Sequence, residues 1–286
     1  MNALPEHRAI TDREYQLFQA LVEKEAGIHL NPGKRSLLVG RLTRRLRALG
    51  LSSFGDYYEQ VVAGGAEGEL VQLLDCVSTN ETHFFREPDH FRYLEDTVLP
   101  ALKAEGEAGR RPKRVRAWSA ACSTGEEPYT LAMVLLAHLP ASEGWSVEIL
   151  GTDLSTRVLE SARAALWPLG KAGEIPERYL KQFMLRGIGS QLGKMKAGPE
   201  LRAVVRFERF NLTTPRYELG VPFDLIFCRN VLIYFARETK LQVVRRLLDT
   251  LAPTGHLFLG HSETLVDSGL PLRTVVPTVH RRREAP

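Results

Sequence analysis

The sequence predicts an α/β fold with a separate all-helical unit in front of it. Residues 11–75 show helical periodicity and no strand pattern, whereas short apolar runs alternate with helical segments from Arg114 onward. Strands that alternate with helices indicate a parallel, doubly wound sheet. We therefore expect two domains, residues 1–76 and residues 77–286, in a chain of 286 residues.

The helical unit is predicted as four helices. T-D-R-E has the form of a capping box, with Thr11 as N-cap and Glu14 three residues later. A second, basic helix runs from K-R-S-L-L to Gly50, a plausible C-terminal glycine. F-G-D-Y-Y-E-Q-V-V and E-G-E-L-V-Q-L-L-D-C-V complete the set before S-T-N-E-T.

The second half begins with V-R-A-W-S, a short strand that enters the helix P-Y-T-L-A-M through S-A-A-C-S-T-G-E-E. A strand ending at Asp153 and another helix follow. The buried strand F-D-L-I-F-C-R-N, a helix and the strand G-H-L-F-L-G-H-S close the domain. Residues 166–210 interrupt this alternation, and we interpret them as a helix plus a small antiparallel excursion containing an apparent strand, L-R-A-V-V-R-F-E-R-F. The insertion is expected to span about residues 167–208.

Composition narrows the functional classes. A net charge of +4 is too small to indicate nucleic-acid binding without a localised patch. No apolar run reaches the roughly 18 residues that cross a bilayer, and the N-terminus has no secretory signal. The three cysteines lack C-x-x-C spacing, and the histidines lack metal-site spacing. We expect a cytoplasmic protein with reduced thiols and no metal site.

The predicted ligand site lies at the carboxyl ends of the strands, where ligands bind in open α/β sheets. Asp153 at a strand end suits a ribose, which both NAD and S-adenosylmethionine contain. The first loop favours S-adenosylmethionine, because Glu126 and Glu127 would repel a pyrophosphate but attract an ammonium group. Alternatively, the two glutamates only complement the helix dipole.

Four segments resemble the CheR family of chemoreceptor glutamate methyltransferases. They are S-T-N-E-T-H-F-F-R, W-S-A-A-C-S-T-G-E-E-P-Y, F-D-L-I-F-C-R-N-V-L-I-Y-F and G-H-S-E, in this order. The resemblance implies a helical N-terminal domain and an S-adenosylmethionine-dependent methyltransferase domain, Rossmann-like, with an inserted β-subdomain. It also implies methyl transfer to glutamate carboxylates of chemoreceptors, with S-adenosylhomocysteine as the product.

The resemblance also implies roles for individual residues. Glu127 would bind the methionine ammonium, with Glu126 as the alternative, and Arg86 and Tyr234 would hold the acceptor. The implied cofactor-binding residues are Asn80, Thr82, Arg86, Glu127, Asp153, Asn211, Leu212, Cys228, Arg229 and Asn230. Each also has a structural interpretation; Asn80 suits a helix cap, Cys228 a core position and Asn211 a turn.

Two surfaces are expected to contact the receptor. Arg41, Arg44 and Arg45 flank the apolar face of the second helix and would dock an acidic helical bundle, unless they are simply solvated. Gly187, Gly189 and Gly193 resemble the loop of family members that bind a C-terminal receptor pentapeptide; a flexible hairpin tip is the alternative. We expect a monomer that does not insert into the membrane or bind nucleic acid.

Two other functions stay open at this stage. One is methylation of an amine on a nucleic acid or another protein, although C-R-N-V-L-I-Y lacks the proline pair typical of exocyclic-amine methyltransferases. The other is a non-enzymatic module that senses S-adenosylmethionine, which would not need Arg86 and Tyr234 together.

Overall fold

The computed structural model describes residues 9–30, 32–64, 67–265 and 269–283. The predicted helical unit is confirmed. It contains α1 Asp12–Ala26, α2 Arg35–Leu49, α3 Phe54–Val62 and α4 Glu67–Val77. Helix α1 begins at the predicted capping box, in which Thr11 and Glu14 exchange hydrogen bonds, and α2 ends at Gly50 in the left-handed conformation.

Two half-buried arginines of α2 are hydrogen-bonded within the protein. Arg45 donates from Nε and from its terminal nitrogen to the buried Glu69 carboxylate, at 2.8 and 2.6 Å. This pairing lowers the pKa of Glu69. Arg41 donates to the carbonyls of Val77, the last residue of α4, and of Ser78, the next residue. Their positive charges therefore stabilise the helical unit itself.

The large sheet has seven strands. Helices α5 Pro88–Tyr93 and α6 Leu99–Glu107, joined by a π-helical segment Leu94–Val98, lead into it. The next elements are β1 Arg114–Ala120, α7 Glu126–His138, β2 Ser146–Asp153, α8 Thr156–Ala164, β3 Leu166–Pro168, α9 Glu177–Phe183, β4 Met184–Arg186 and β5 Lys194–Ala197. The chain continues through α10 Pro199–Val204, β6 Val205–Arg209, β7 Phe223–Cys228, α11 Arg237–Thr250, β8 Leu251–Leu259, β9 Leu272–Val276 and β10 Val279–Arg282.

The order of the large sheet is β6-β2-β1-β7-β8-β10-β9. The first five strands are parallel, as predicted from the alternation of strands and helices. The last two pair antiparallel, and the sequence analysis missed this C-terminal hairpin. Apolar clusters cover both faces of the sheet. The strand order reverses at β1, because β2 lies on one side of it and β7, which follows β6 in the chain, lies on the other. A crevice therefore opens beyond the carboxyl end of β1.

The insertion folds as a three-stranded antiparallel sheet with the order β3-β5-β4. The apparent strand at 201–210 is confirmed only in its second part, and that part does not belong to the small antiparallel sheet. Its first part is α10, which begins at Pro199, a residue favoured in the first turn of a helix. Its second part, β6, pairs parallel with β2 in the large sheet.

No helix in the described ranges has the length and apolarity that a membrane crossing requires.

Candidate active site

The loop after β1 turns sharply above the crevice. Ala121, Ser123 and Gly125 have positive φ angles of 64°, 50° and 94°. At Gly125 a Cβ atom would lie 2.9 Å from the Ala162 side chain on α8, so this position requires glycine. The loop thus brings the start of α7 close to the ends of β1 and β2.

A large cavity occupies this crevice, with an empty volume of about 940 Å³ that includes its open mouth. Its walls contain most of the predicted site residues, together with Tyr234. These are Asn80, Thr82, Arg86, Glu127, Asp153, Asn211, Leu212, Arg229 and Asn230. Five sequence-distant segments therefore meet at one cavity.

Cys228 does not line the cavity. Its side chain is fully buried in the apolar cluster that contains Trp118 and Ile226, and burial raises the pKa of its thiol well above the usual value. The structure places Cys228 in the core, which was the alternative interpretation of this residue.

The two glutamates at the start of α7 point to different partners. Glu126 is buried and binds Lys171 of the insertion and Thr124, away from the cavity wall. Glu127 faces the cavity and accepts hydrogen bonds from Ser119 Oγ at 2.7 Å and Arg229 Nε at 2.8 Å. Of the pair, Glu127 is therefore the carboxylate that a ligand in the cavity reaches.

Arg229 connects this carboxylate to the opposite side of the domain. Its guanidinium also donates to His90 Nδ1 at 3.0 Å and lies over the Phe91 ring, 5.5 Å from the centroid. Since His90 Nδ1 accepts this bond, Nε2 carries the proton and donates to Thr278 Oγ1 at 2.7 Å. The hydrogen bonds that run from Thr278 through His90 and Arg229 to Glu127 fix the orientations of the His90 and Arg229 side chains.

Asp153 lies where β2 ends, as predicted. Oδ2 accepts the Ser123 backbone N–H and Oδ1 accepts that of Ser155, both at 2.9 Å. Burial raises its pKa, and these backbone bonds oppose the increase. The carboxylate thereby anchors the β1 loop while lining the cavity.

The linker before α5 forms another wall. Arg86 donates to the Glu81 carbonyl at 2.9 Å, and Ser123 Oγ donates to the Asn80 carbonyl at 2.9 Å. Asn80 Nδ2 is a buried donor without a hydrogen-bond partner among the described residues. A buried amide without an acceptor is unfavourable, so this atom points to a ligand in the cavity.

The helical unit contributes to the site as well, which the sequence did not indicate. Ala26 and Ile28 line the cavity, and Ile28 forms an isolated bridge with Phe235. Asn211 Nδ2 donates to the Glu25 carbonyl at 2.7 Å. Phe210, which also lines the cavity, was recognisable only as the neighbour of Asn211.

Three potential metal ligands, Glu87, His90 and His261, approach one another within 4.8 Å. The Arg229 guanidinium already donates to His90 and lies 3.8 Å from Glu87 Oε2. This cation supplies the positive charge that a metal ion would bring, so the group is better described as a hydrogen-bond network.

Comparison with known proteins identifies the family. Residues 80–278 match the family model described as "CheR methyltransferase, SAM binding domain", and residues 13–78 match "CheR methyltransferase, all-alpha domain". The chain belongs to the CheR methyltransferase family. It is an enzyme that uses S-adenosylmethionine as its methyl donor, as the sequence analysis predicted.

Relatives of this family align over most of their length. The chain is 38% identical over 261 residues to a chemotaxis protein methyltransferase of Escherichia coli (strain K12), covering 91% of this chain and 87% of the relative. It is 39% identical to that of Salmonella typhimurium, with 89% and 85% covered. The enzyme of Borreliella burgdorferi is 34% identical, with 96% and 95% covered.

The network around His90 predicts acid sensitivity of the fold. Burial and then the Arg229 charge lower its pKa from 6.5 to about 4. The unfolded chain therefore binds a proton near pH 6.5, whereas the folded chain does so only near pH 4. Stability from neutral His90 is complete above pH 6.5 and falls as the pH drops toward 4, by up to about 3 kcal/mol.

Chemical denaturation at several pH values measures this effect. His90→Asn should flatten the fall in unfolding free energy between pH 6.5 and 4.5. His256→Asn should flatten the fall as well, because burial also lowers the pKa of His256 to about 4, and the double variant should show a smaller fall than either single variant. An H90N variant with the wild-type slope would contradict the prediction.

Proposed function

We propose that this enzyme transfers a methyl group from S-adenosylmethionine to glutamate side chains in the cytoplasmic helical bundle of chemoreceptors. The observation that carries the proposal is one cavity lined by Glu127 and Asp153 and also by Arg86 and Tyr234. These side chains suit a cationic ribose-containing cofactor and a carboxylate acceptor, respectively. The names of the relatives, chemotaxis protein methyltransferases, support the same substrate class.

The residues present fit S-adenosylmethionine. Asn80 supplies a buried donor that has no partner among the described residues, and the Glu127 carboxylate on the cavity wall suits an ammonium group. We assign the ribose to Asp153 and the adenine to the wall formed by Asn211, Leu212 and the neighbouring Phe210. Thr82, Arg229 and Asn230 complete the cofactor wall. When bound, the cofactor supplies an electrophilic methyl group attached to a sulfonium.

The acceptor needs orientation more than activation. A glutamate carboxylate has an ordinary pKa of about 4.3 and is already a nucleophile at neutral pH. We assign its binding to Arg86, whose guanidinium has five N–H donors and uses one on the Glu81 carbonyl, and to the Tyr234 hydroxyl. Holding the carboxylate in line with the methyl–sulfur bond accounts for the rate gain through proximity.

A second groove adjoins Tyr234 and gives the acceptor helix a route to the cavity. It is lined by Leu30, Lys34 and Leu37 of the helical unit, and the Lys34 ammonium lies 5.0 Å from the Tyr234 ring centroid. Arg44 and Arg47 are exposed on the same helix as Leu37. These charges suit an acidic helical bundle, so we assign docking to Arg44 and Arg47 and reassign Arg41 and Arg45 to supporting the fold.

The insertion is the proposed binding site for the receptor's C-terminal pentapeptide. At Gly187 a Cβ atom would lie 2.0 Å from the Gln191 carbonyl, and Gly189 and Gly193 have positive φ. The backbone conformation of the loop therefore explains these glycines without a bound peptide. The edge strand β4 is the better docking element. In its antiparallel pairing with β5, the Gly187 N–H donates to the Lys194 carbonyl, so the backbone N–H of Arg186 faces outward and is available to a peptide strand. Exposed Ile188 and Leu192 lie beside it.

This assignment places the enzyme in the cytoplasm, where it acts as a monomer on the cytoplasmic part of its membrane-bound receptors. Tethering to a receptor tail would raise the local substrate concentration without direct membrane insertion.

Methyl transfer from labelled S-adenosylmethionine tests the proposal. Receptor cytoplasmic fragments should acquire alkali-labile methyl esters, whereas DNA and RNA should acquire no label.

Asp153→Asn should weaken cofactor binding by about 1.5–3 kcal/mol, because a charged acceptor is lost, and calorimetry measures this directly. Cys228→Ala, which changes only the core, should bind the cofactor within twofold of wild type. Label in nucleic acid, or cofactor binding without any transfer, would refute the proposed substrate.

Docking through Arg44 and Arg47 predicts a salt-dependent defect. The R44E/R47E variant should methylate receptor fragments at least about fivefold more slowly at low salt, with unchanged cofactor affinity, because like charges then slow encounter. The difference should shrink at high salt. Arg245→Glu, exposed on α11, is the matched control. Equal rates at low salt for R44E/R47E and R245E would exclude this docking face.

Tethering predicts direct peptide binding. Peptides matching the cognate receptor tails should bind the wild-type protein, and Arg186→Pro should abolish binding by removing an outward N–H from β4. Arg186→Ala keeps that N–H and should bind the peptide within about threefold of wild type. Cofactor affinity should be unchanged in both variants. Absence of peptide binding to the wild-type enzyme would reject tethering while leaving the methyltransferase assignment intact.

A further inference from the structure

Glu263, in the G-H-S-E segment, is a fully buried carboxylate to which the reaction above assigns no role. Oε1 accepts the Leu232 backbone N–H at 2.6 Å. Oε2 accepts the backbone N–H groups of Asn230 at 2.8 Å and Gly260 at 2.7 Å. A single side chain beyond β8 therefore holds the backbone of the loop beyond β7.

The charge of Glu263 is balanced by peptide groups. In the described part of the chain, its bonded partners are backbone N–H groups and not a lysine or an arginine. Burial raises the pKa of the carboxyl group, and the backbone bonds, including one from Ile233, oppose that increase. Moving any of these N–H donors would leave a buried charge less well solvated, so the carboxylate resists displacement of the loop.

The held loop is the one that presents cavity residues. Arg229, Asn230 and Tyr234 all line the cavity and lie within or beside the segment that Glu263 binds. Asn230 has a positive φ of 59°, which is uncommon for a residue with a side chain. Its side-chain amide donates to Glu87 Oε1 at 3.2 Å, so two carboxylates hold the same residue from different sides.

Close packing at Gly260 leaves the loop little room. A Cβ atom there would lie 2.9 Å from the Asn230 backbone nitrogen and 2.9 Å from Glu263 Oε2. The glycine thus allows the carboxylate and the Asn230 backbone to meet directly.

We propose that Glu263 is a positioning residue for the cofactor site, whose carboxylate fixes the backbone from Asn230 to Ile233 so that Arg229, Asn230 and Tyr234 face the cavity. A carboxylate suits this role because both of its oxygens accept hydrogen bonds. A glutamine in its place presents one NH₂ group, which would meet either the Leu232 N–H or those of Asn230 and Gly260. One side of the loop is then repelled, and the cavity wall shifts.

Cofactor binding to three variants tests this role by calorimetry, which needs no acceptor. Glu263→Gln should weaken S-adenosylmethionine binding at least tenfold and also lower kcat on receptor fragments. Gly260→Ala should cause a loss of the same kind by pushing Asn230 without changing any charge. Ser262→Ala, exposed in the same turn, should bind the cofactor within twofold of wild type.

The measurements are made well below the melting temperature of each variant, where all the protein is folded. Weakened binding by folded E263Q and G260A supports positioning. A lowered melting temperature with cofactor affinity and kcat within twofold of wild type would overturn it and leave Glu263 a purely structural residue. If E263Q fails to fold, G260A alone decides by the same criteria. The affinity measurement does not depend on which acceptor the enzyme methylates, so it decides the positioning role even if the proposed receptor substrate is wrong.

Discussion

The cavity is organised around a buried positive charge, the guanidinium of Arg229. A buried charge is tolerated only where hydrogen-bond partners and counter-charges surround it. Here Glu127, His90 and the faces of Phe91 and Phe227 supply them. These partners come from α7, α5 and β7. A single side chain therefore holds the first turn of α7, helix α5 and the central sheet in one arrangement.

A second group of contacts at this end of the domain joins the insertion to α7 and to the linker. Lys171 binds Glu126 and the Thr82 carbonyl, and Glu174 accepts the Phe84 backbone N–H at 2.9 Å. The adjacent glutamates at the start of α7 thus have separate functions. Glu127 lines the cavity, while Glu126 attaches the insertion to α7 through Lys171.

Hydrophobic periodicity predicted the helices and parallel strands because each is specified locally. The carboxyl-end rule also located the cavity correctly through Asp153 and Glu127. It failed for Cys228, because both faces of a central parallel strand are apolar and the sequence does not show which face a residue covers. Arg41 and Arg45 were predicted to dock the receptor, with simple solvation as the alternative, because their acceptors, the Val77 carbonyl and Glu69, lie more than twenty residues away in the chain. The antiparallel C-terminal hairpin was missed for a similar reason, because strand direction depends on pairing with residues distant in the chain.

The contacts between the helical unit and the cavity have a consequence for protein engineering. The end of α1 and the following residues form part of the cavity wall, with the Glu25 carbonyl bonded to Asn211 and the His29 N–H bonded to the Tyr234 carbonyl at 2.7 Å. The structural boundary between the helical unit and the large-sheet domain therefore does not coincide with the covalent linker. A chimera that exchanges the helical module between family members to redirect substrate choice must keep the segment from Glu25 to His29 matched to its own catalytic half.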